Sequence, residues 1–114
     1  MHTFIPVLNS LPSFDPIPGV RIREKISIRG GLLSIQASAN HSSTPKALLP
    51  LHSYKTMEVA LMKDDEFTSI QAFTNDAELI HELNQYVVKS SPGVYVYVPV
   101  ELVERLYLAL KETV

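Results

Sequence analysis

Residues 93–111, GVYVYVPVELVERLYLALK, constrain the fold more than any other stretch, because their local structure reads almost residue by residue. Val94, Val96 and Val98 alternate with Tyr95 and Tyr97, the period of a strand whose valines suit a core while its tyrosines keep a polar end toward water. Pro99 ends that strand. Proline lends no N–H to a sheet but fits the first helical turn, and Glu101 and Glu104 follow where a helix N-terminus is partly positive. Leu102, Val103, Leu106, Tyr107 and Leu110 then recur at i, i+3, i+4 and i+7, with Glu104, Arg105, Lys111 and Glu112 mostly on the other side. Strand and helix are expected to pack as one unit.

The 114 residues, 46% hydrophobic and 19% charged, suit a single globular domain with a small core. The absence of cysteine removes any disulfide framework or thiolate metal site and fits a reducing compartment. No run approaches the roughly 20 apolar residues that span a bilayer, and no basic segment precedes an apolar core at the N-terminus. The expectation is a soluble, cytoplasmic protein with no membrane contact. A net charge of −2 hides an asymmetry: residues 1–57 carry six Lys or Arg against Asp15 and Glu24, whereas residues 58–114 carry four against ten acids. Arg21, Arg23, Lys25 and Arg29 are crowded together, yet the chain lacks the overall basicity that binding to a nucleic acid duplex requires.

Residues 1–19 hold Pro6, Pro12, Pro16 and Pro18 among Phe4, Ile5, Val7, Leu8, Leu11, Phe14 and Ile17. That spacing of prolines predicts an extended arm rather than a regular helix, lying against its own domain or a neighbouring subunit, ahead of a domain at 20–114. From Val20 the chain alternates, with Val20, Ile22, Ile26 and Ile28 on one face and Arg21, Arg23, Lys25, Ser27 and Arg29 on the other; only Glu24 breaks the pattern. Gly30-Gly31 signals a two-residue hairpin into a strand at 32–39. Residues 40–52, NHSSTPKALLPLH, form the longest irregular segment, where His41, Ser42, Ser43, Thr44 and Lys46 offer donors for a phosphate; the same residues describe any solvated turn. Strands are expected at 54–62 and 67–73 around an acidic turn, and a helix over 75–89 capped by Asn75 with Glu78 three residues on.

Signatures of chemistry are mostly missing. The sequence has no phosphate-binding glycine loop, no nucleophile elbow and no HExxH, and its four histidines are scattered. His41 beside Ser42 and Ser43 offers a base and a nucleophile without the orienting group and oxyanion donors of a hydrolase. No cofactor or metal is expected.

Four strings remain: LSIQAS at 33–38, HSSTPK at 41–46, YKTMEVA at 54–60 and YVPVE at 97–101. In this succession the chain resembles the first described family of anti-Thoeris phage proteins, which sequester cyclic ADP-ribose signals made by bacterial TIR-domain enzymes. The resemblance implies a non-catalytic homo-oligomer in the host cytoplasm, with arginines on ligand phosphates and an aromatic side chain stacked on adenine. Two positions depart from the family's pattern. Lys46 stands where a Pro-Arg pair is usual, giving a point charge in place of a bidentate fork, and Ser42 and Ser43 replace a larger pair that includes an aromatic.

The expected fold is thus α+β, with about five strands in antiparallel hairpins and two helices. The expected function is sequestration of a cyclic nucleotide signal at Arg21, Arg23, Arg29, His41, Ser43, Lys46 and Arg105. The alternatives are an interaction module that blocks a host protein and, behind it, a small-ligand hydrolase.

Overall fold

The computed structural model describes residues 2–112. Along the chain come α1 (Phe4–Ser10), β1 (Ser13–Ile17), β2 (Val20–Arg23), β3 (Ile26–Ile28), β4 (Gly31–Gln36), β5 (Thr56–Lys63), β6 (Glu66–Phe67), α2 (Ala77–Asn84), β7 (Val94–Pro99) and α3 (Val100–Leu110), with short 3-10 turns at Leu51–Ser53 and Ile70–Ala72. This is an α+β domain: among the described residues, three helices accompany seven strands paired antiparallel in two sheets. β1 and β2 form a hairpin of their own, and the larger sheet runs β3-β4-β5, with β6 and β7 both paired to β5.

Alternation decides which strand is central. Along β5, Met57, Val59 and Leu61 are buried completely, whereas Thr56, Glu58, Ala60 and Met62 are half-exposed. Opposite them Leu33 and Ile35 of β4 are buried too, so one face of the sheet is a core face. α3 covers it with Leu102, Val103, Leu106, Tyr107 and Leu110, α2 with Leu79 and Leu83, and α1 with Phe4 and Leu8. The turns follow backbone chemistry: Gly30 at φ +82° closes the β3–β4 hairpin, and Asp64 and Asp65 at φ 52° and 65° close β5–β6.

The proline-rich N-terminal segment departs from its expected form. Phe4–Ser10 is helical, because Pro6 falls in the first turn, where its missing N–H has no intrahelical partner to lose. The helix docks on the start of α3: the Thr3 hydroxyl donates to Glu104 at 2.6 Å, the Phe4 N–H donates to it at 3.2 Å, and His2 meets Glu101 at 2.9 Å. Burial raises the Glu104 pKa, but the hydrogen bonds from Thr3 and Phe4, with His2 nearby, outweigh this and hold it below the usual carboxylate range.

Three further expectations are corrected. The strand from Val20 is not continuous: Glu24 and Lys25 break it, and β2 turns over so that Ile22 is exposed while Arg23 is buried. Continuing the β3–β4 register would set Arg23 opposite Gln36, and the Gln36 carboxamide fills the gap, accepting from Arg23 N at 2.9 Å and donating to Arg23 O at 2.7 Å. Only Glu66 and Phe67 pair beyond the acidic turn, because Ile70–Ala72 coils inward to bury Ile70 under the Tyr95 hydroxyl. The second helix is shorter than expected and is capped by Asp76, whose carboxylate accepts from Leu79 N; Val87 instead bridges to Tyr95.

Phe4 is fully buried, so Phe4→Ala is expected to lower stability by about 3–5 kcal/mol in urea unfolding, a large share of the roughly 5–15 kcal/mol of a small domain.

Candidate functional site

The loop between β4 and β5 carries His41, Ser43 and Lys46, and it is firmly held. Ser42 N donates to the Glu58 carboxylate at 3.0 Å, Lys55 N donates to Thr44 O at 2.8 Å, and the Thr56 hydroxyl donates to that of Thr44 at 2.9 Å. Ser38 Oγ lies 2.6 Å from His41 Nδ1, and Lys46 Nζ donates to His41 O at 2.8 Å.

The loop rests against an irregularity in β7. Met57 pairs with Val98 and Val59 with Tyr95, so three steps on β7 match two on β5, and the extra residue makes a bulge at Val96–Tyr97. The bulge reverses the expected faces: Tyr95 is completely buried, whereas Val94 and Val96 are only half-buried. Tyr97 takes φ +53°, a left-handed backbone that glycine adopts freely and a bulky side chain adopts at a cost of about 1–3 kcal/mol. Its N–H donates to Ser42 O at 3.0 Å, its side chain is 43% exposed, and Lys46 Nζ stands 5.1 Å from its ring centroid.

The seven residues singled out from the sequence divide into two sets. Arg23, His41, Ser43 and Lys46 lie at this end of the molecule, with Arg21 beside Arg23 on β2. Arg23 is only 6% exposed and donates to Ala37 O, and burial lowers its pKa, though a guanidinium stays charged. The Ser43 hydroxyl is turned inward onto Ser38 O. Arg21 is paired with Asp15 at 2.8 Å across the β1–β2 hairpin. Arg29 and Arg105 belong elsewhere. Arg29 occupies the β3–β4 turn and donates to Ala109 O, a cation at the C-terminal carbonyls of α3, whereas Arg105 joins α3 to Glu82 and Glu78 of α2. The three strand arginines therefore do not all share one face: Arg21 and Arg23, two apart on β2, stand side by side, whereas the break at Glu24 and Lys25 and the turn at Gly30 carry Arg29 away to the end of α3. Tyr97 and Glu58 were not singled out from the sequence; the strict Val–Tyr alternation gave no sign of a bulge.

Burial, reinforced by the nearby charges of Arg23 and Lys46 and opposed by Glu58, holds the His41 imidazole below its usual pKa. The Ser38–His41 pair has the atoms of a nucleophile and its base, but Ser38 is completely buried, so no substrate atom reaches its oxygen. Among the described residues no three His, Asp or Glu side chains gather to hold a metal ion, and no helix is long and apolar enough to cross a membrane.

A second feature is a groove of about 520 Å³ beside the β1–β2 hairpin, lined by Phe14, Ile22, Lys25, Ser27 and Leu32 among others. Comparison with protein-family models, curated proteins and solved structures finds no match.

A histidine whose folded pKa lies below its unfolded one stabilises the fold fully above the unfolded value, about 6.5, and loses that contribution as pH falls from there toward the folded pKa. Urea unfolding across that window is expected to show stability falling with acidity in the parent, and a flatter dependence in His41→Gln.

Proposed function

We propose that the protein is a non-catalytic binder that sequesters a small cyclic nucleotide signal, of the cyclic ADP-ribose type, at the end of the molecule formed by the β4–β5 loop and the β7 bulge. It acts in this reading as a cytoplasmic homo-oligomer with no cofactor. The observation that carries the proposal is the pair Tyr97 and Lys46: an exposed aromatic ring in a backbone conformation that disfavours it, with an ammonium group beside it. A flat ring next to a cation suits a base that stacks and a phosphate that needs charge. Stored backbone strain at an exposed side chain is common where that side chain has a task other than holding the fold. His41 adds an imidazole and Arg23 a positive potential from beneath the loop, without direct exposure.

The fold gives this proposal a clean test. Glycine at position 97 relieves the positive φ, so Tyr97→Gly is expected to leave stability within about 1 kcal/mol of the parent while removing the stacking surface. Calorimetric titration with cyclic ADP-ribose as the probe is expected to show binding by the parent and none by Tyr97→Gly. Lys46→Ala loses a charge-assisted contact of about 1.5–3 kcal/mol, which weakens binding roughly 10- to 150-fold. The probe is expected back intact after heat denaturation; a cleaved product, or equal binding by both variants, overturns the proposal.

A further inference from the structure

The sheet face away from the helices carries a row of side chains with no assigned role. Register sets Ser27 opposite Leu32, Leu32 opposite Met62, and Met62 opposite Phe67, so these four stand side by side from β3 across to β6. They are exposed to differing degrees: Leu32 and Met62 are half-buried, Ser27 is exposed, and Phe67 is 55% exposed. At the β3 end the row runs into the 520 Å³ groove, where Phe14, 59% exposed, and Ile22, 36% exposed, face Leu32 and Ser27. A protruding phenylalanine at one end and an apolar groove at the other form one continuous surface of the kind that marks an interaction site.

We propose that this face is the interface between two copies of the chain, packed face to face about a two-fold axis that lies in the interface, parallel to the strands, and passes between Leu32 and Met62. Such an axis exchanges the β3 and β6 ends, so Phe67 of each copy enters the groove of the other, and each contact occurs twice. Charge selects the same arrangement. The β3 end carries exposed Lys25 and Arg29 with Glu24, and Arg29 has a carbonyl rather than a carboxylate as its partner; the β6 end carries Asp64, Asp65 and Glu66 with Lys63, so the two ends differ in sign. The two-fold sets the cations of one copy over the acids of the other, whereas a parallel superposition sets like charges together. This interface lies on the sheet, and of the N-terminal segment it uses only the groove wall at Pro12, Ser13 and Phe14. It stands independently of the ligand reading, because Tyr97 and Lys46 take no part in it.

Light scattering coupled to size-exclusion chromatography at high micromolar concentration is expected to give twice the chain mass for the parent. Phe67→Asp is expected to give the chain mass with an unchanged circular dichroism spectrum, since Phe67 is 55% exposed and lies outside the buried core. Lys25→Glu and Glu66→Lys are each expected to weaken association about tenfold or more, and the double variant to restore it, which a general loss of folding does not reproduce. A monomeric parent overturns the proposal, even if it captures a different protein. So does a dimer unaffected by Phe67→Asp, or a double variant no better than either single one.

Discussion

The burial of alternate side chains along Thr56–Lys63 is the constraint on which the rest of the domain depends. β5 is hydrogen-bonded on both edges, to β4 on one and to β7 and β6 end to end on the other, so its side chains are free to point in only two directions. Met57, Val59 and Leu61 commit one direction to the core, and all three helices collect there. The other direction is left with Thr56, Glu58, Ala60 and Met62, none of which demands full burial and all of which are half-buried. The β1–β2 hairpin shields part of that face through the Gln36 carboxamide, and the remainder is open.

Where local pattern and tertiary packing agree, the fold was legible. The alternation of β4 and β5, the switch from strand to helix at Pro99 and the buried stripe of α3 all stand as their residues indicate. The failures share a cause, which is that one residue's placement changes the meaning of its neighbours. Four prolines argue against helix in the N-terminal segment, yet helix survives there because Pro6 occupies the one turn that tolerates it. Residues 67–73 alternate well enough for a strand, but Ile70 finds a better site beneath Tyr95 than a sheet edge offers.

The site was legible in kind and not in arrangement. The irregular loop with His41, Ser43 and Lys46 is where polar chemistry collects, and composition alone points there. Which cations join it depends on the break at Glu24 and Lys25, which buries Arg23 near the loop, and on the helix ends that engage Arg29 and Arg105. Tyr97 was hidden because a bulge leaves no mark in an alternating sequence: one added residue exchanges the faces of every residue beyond it.

Thr3 and Phe4 are joined to Glu104 across about a hundred residues, and the contact has a temporal side. A ribosome adds residues at about 5–20 per second, so the first helix emerges several seconds before the third exists to receive it. During that interval Phe4 and Leu8 have no native surface to occupy. The core closes only after synthesis passes residue 110, and until then the nascent chain displays its most apolar side chains to whatever is nearby, a chaperone or a second nascent chain on the same message.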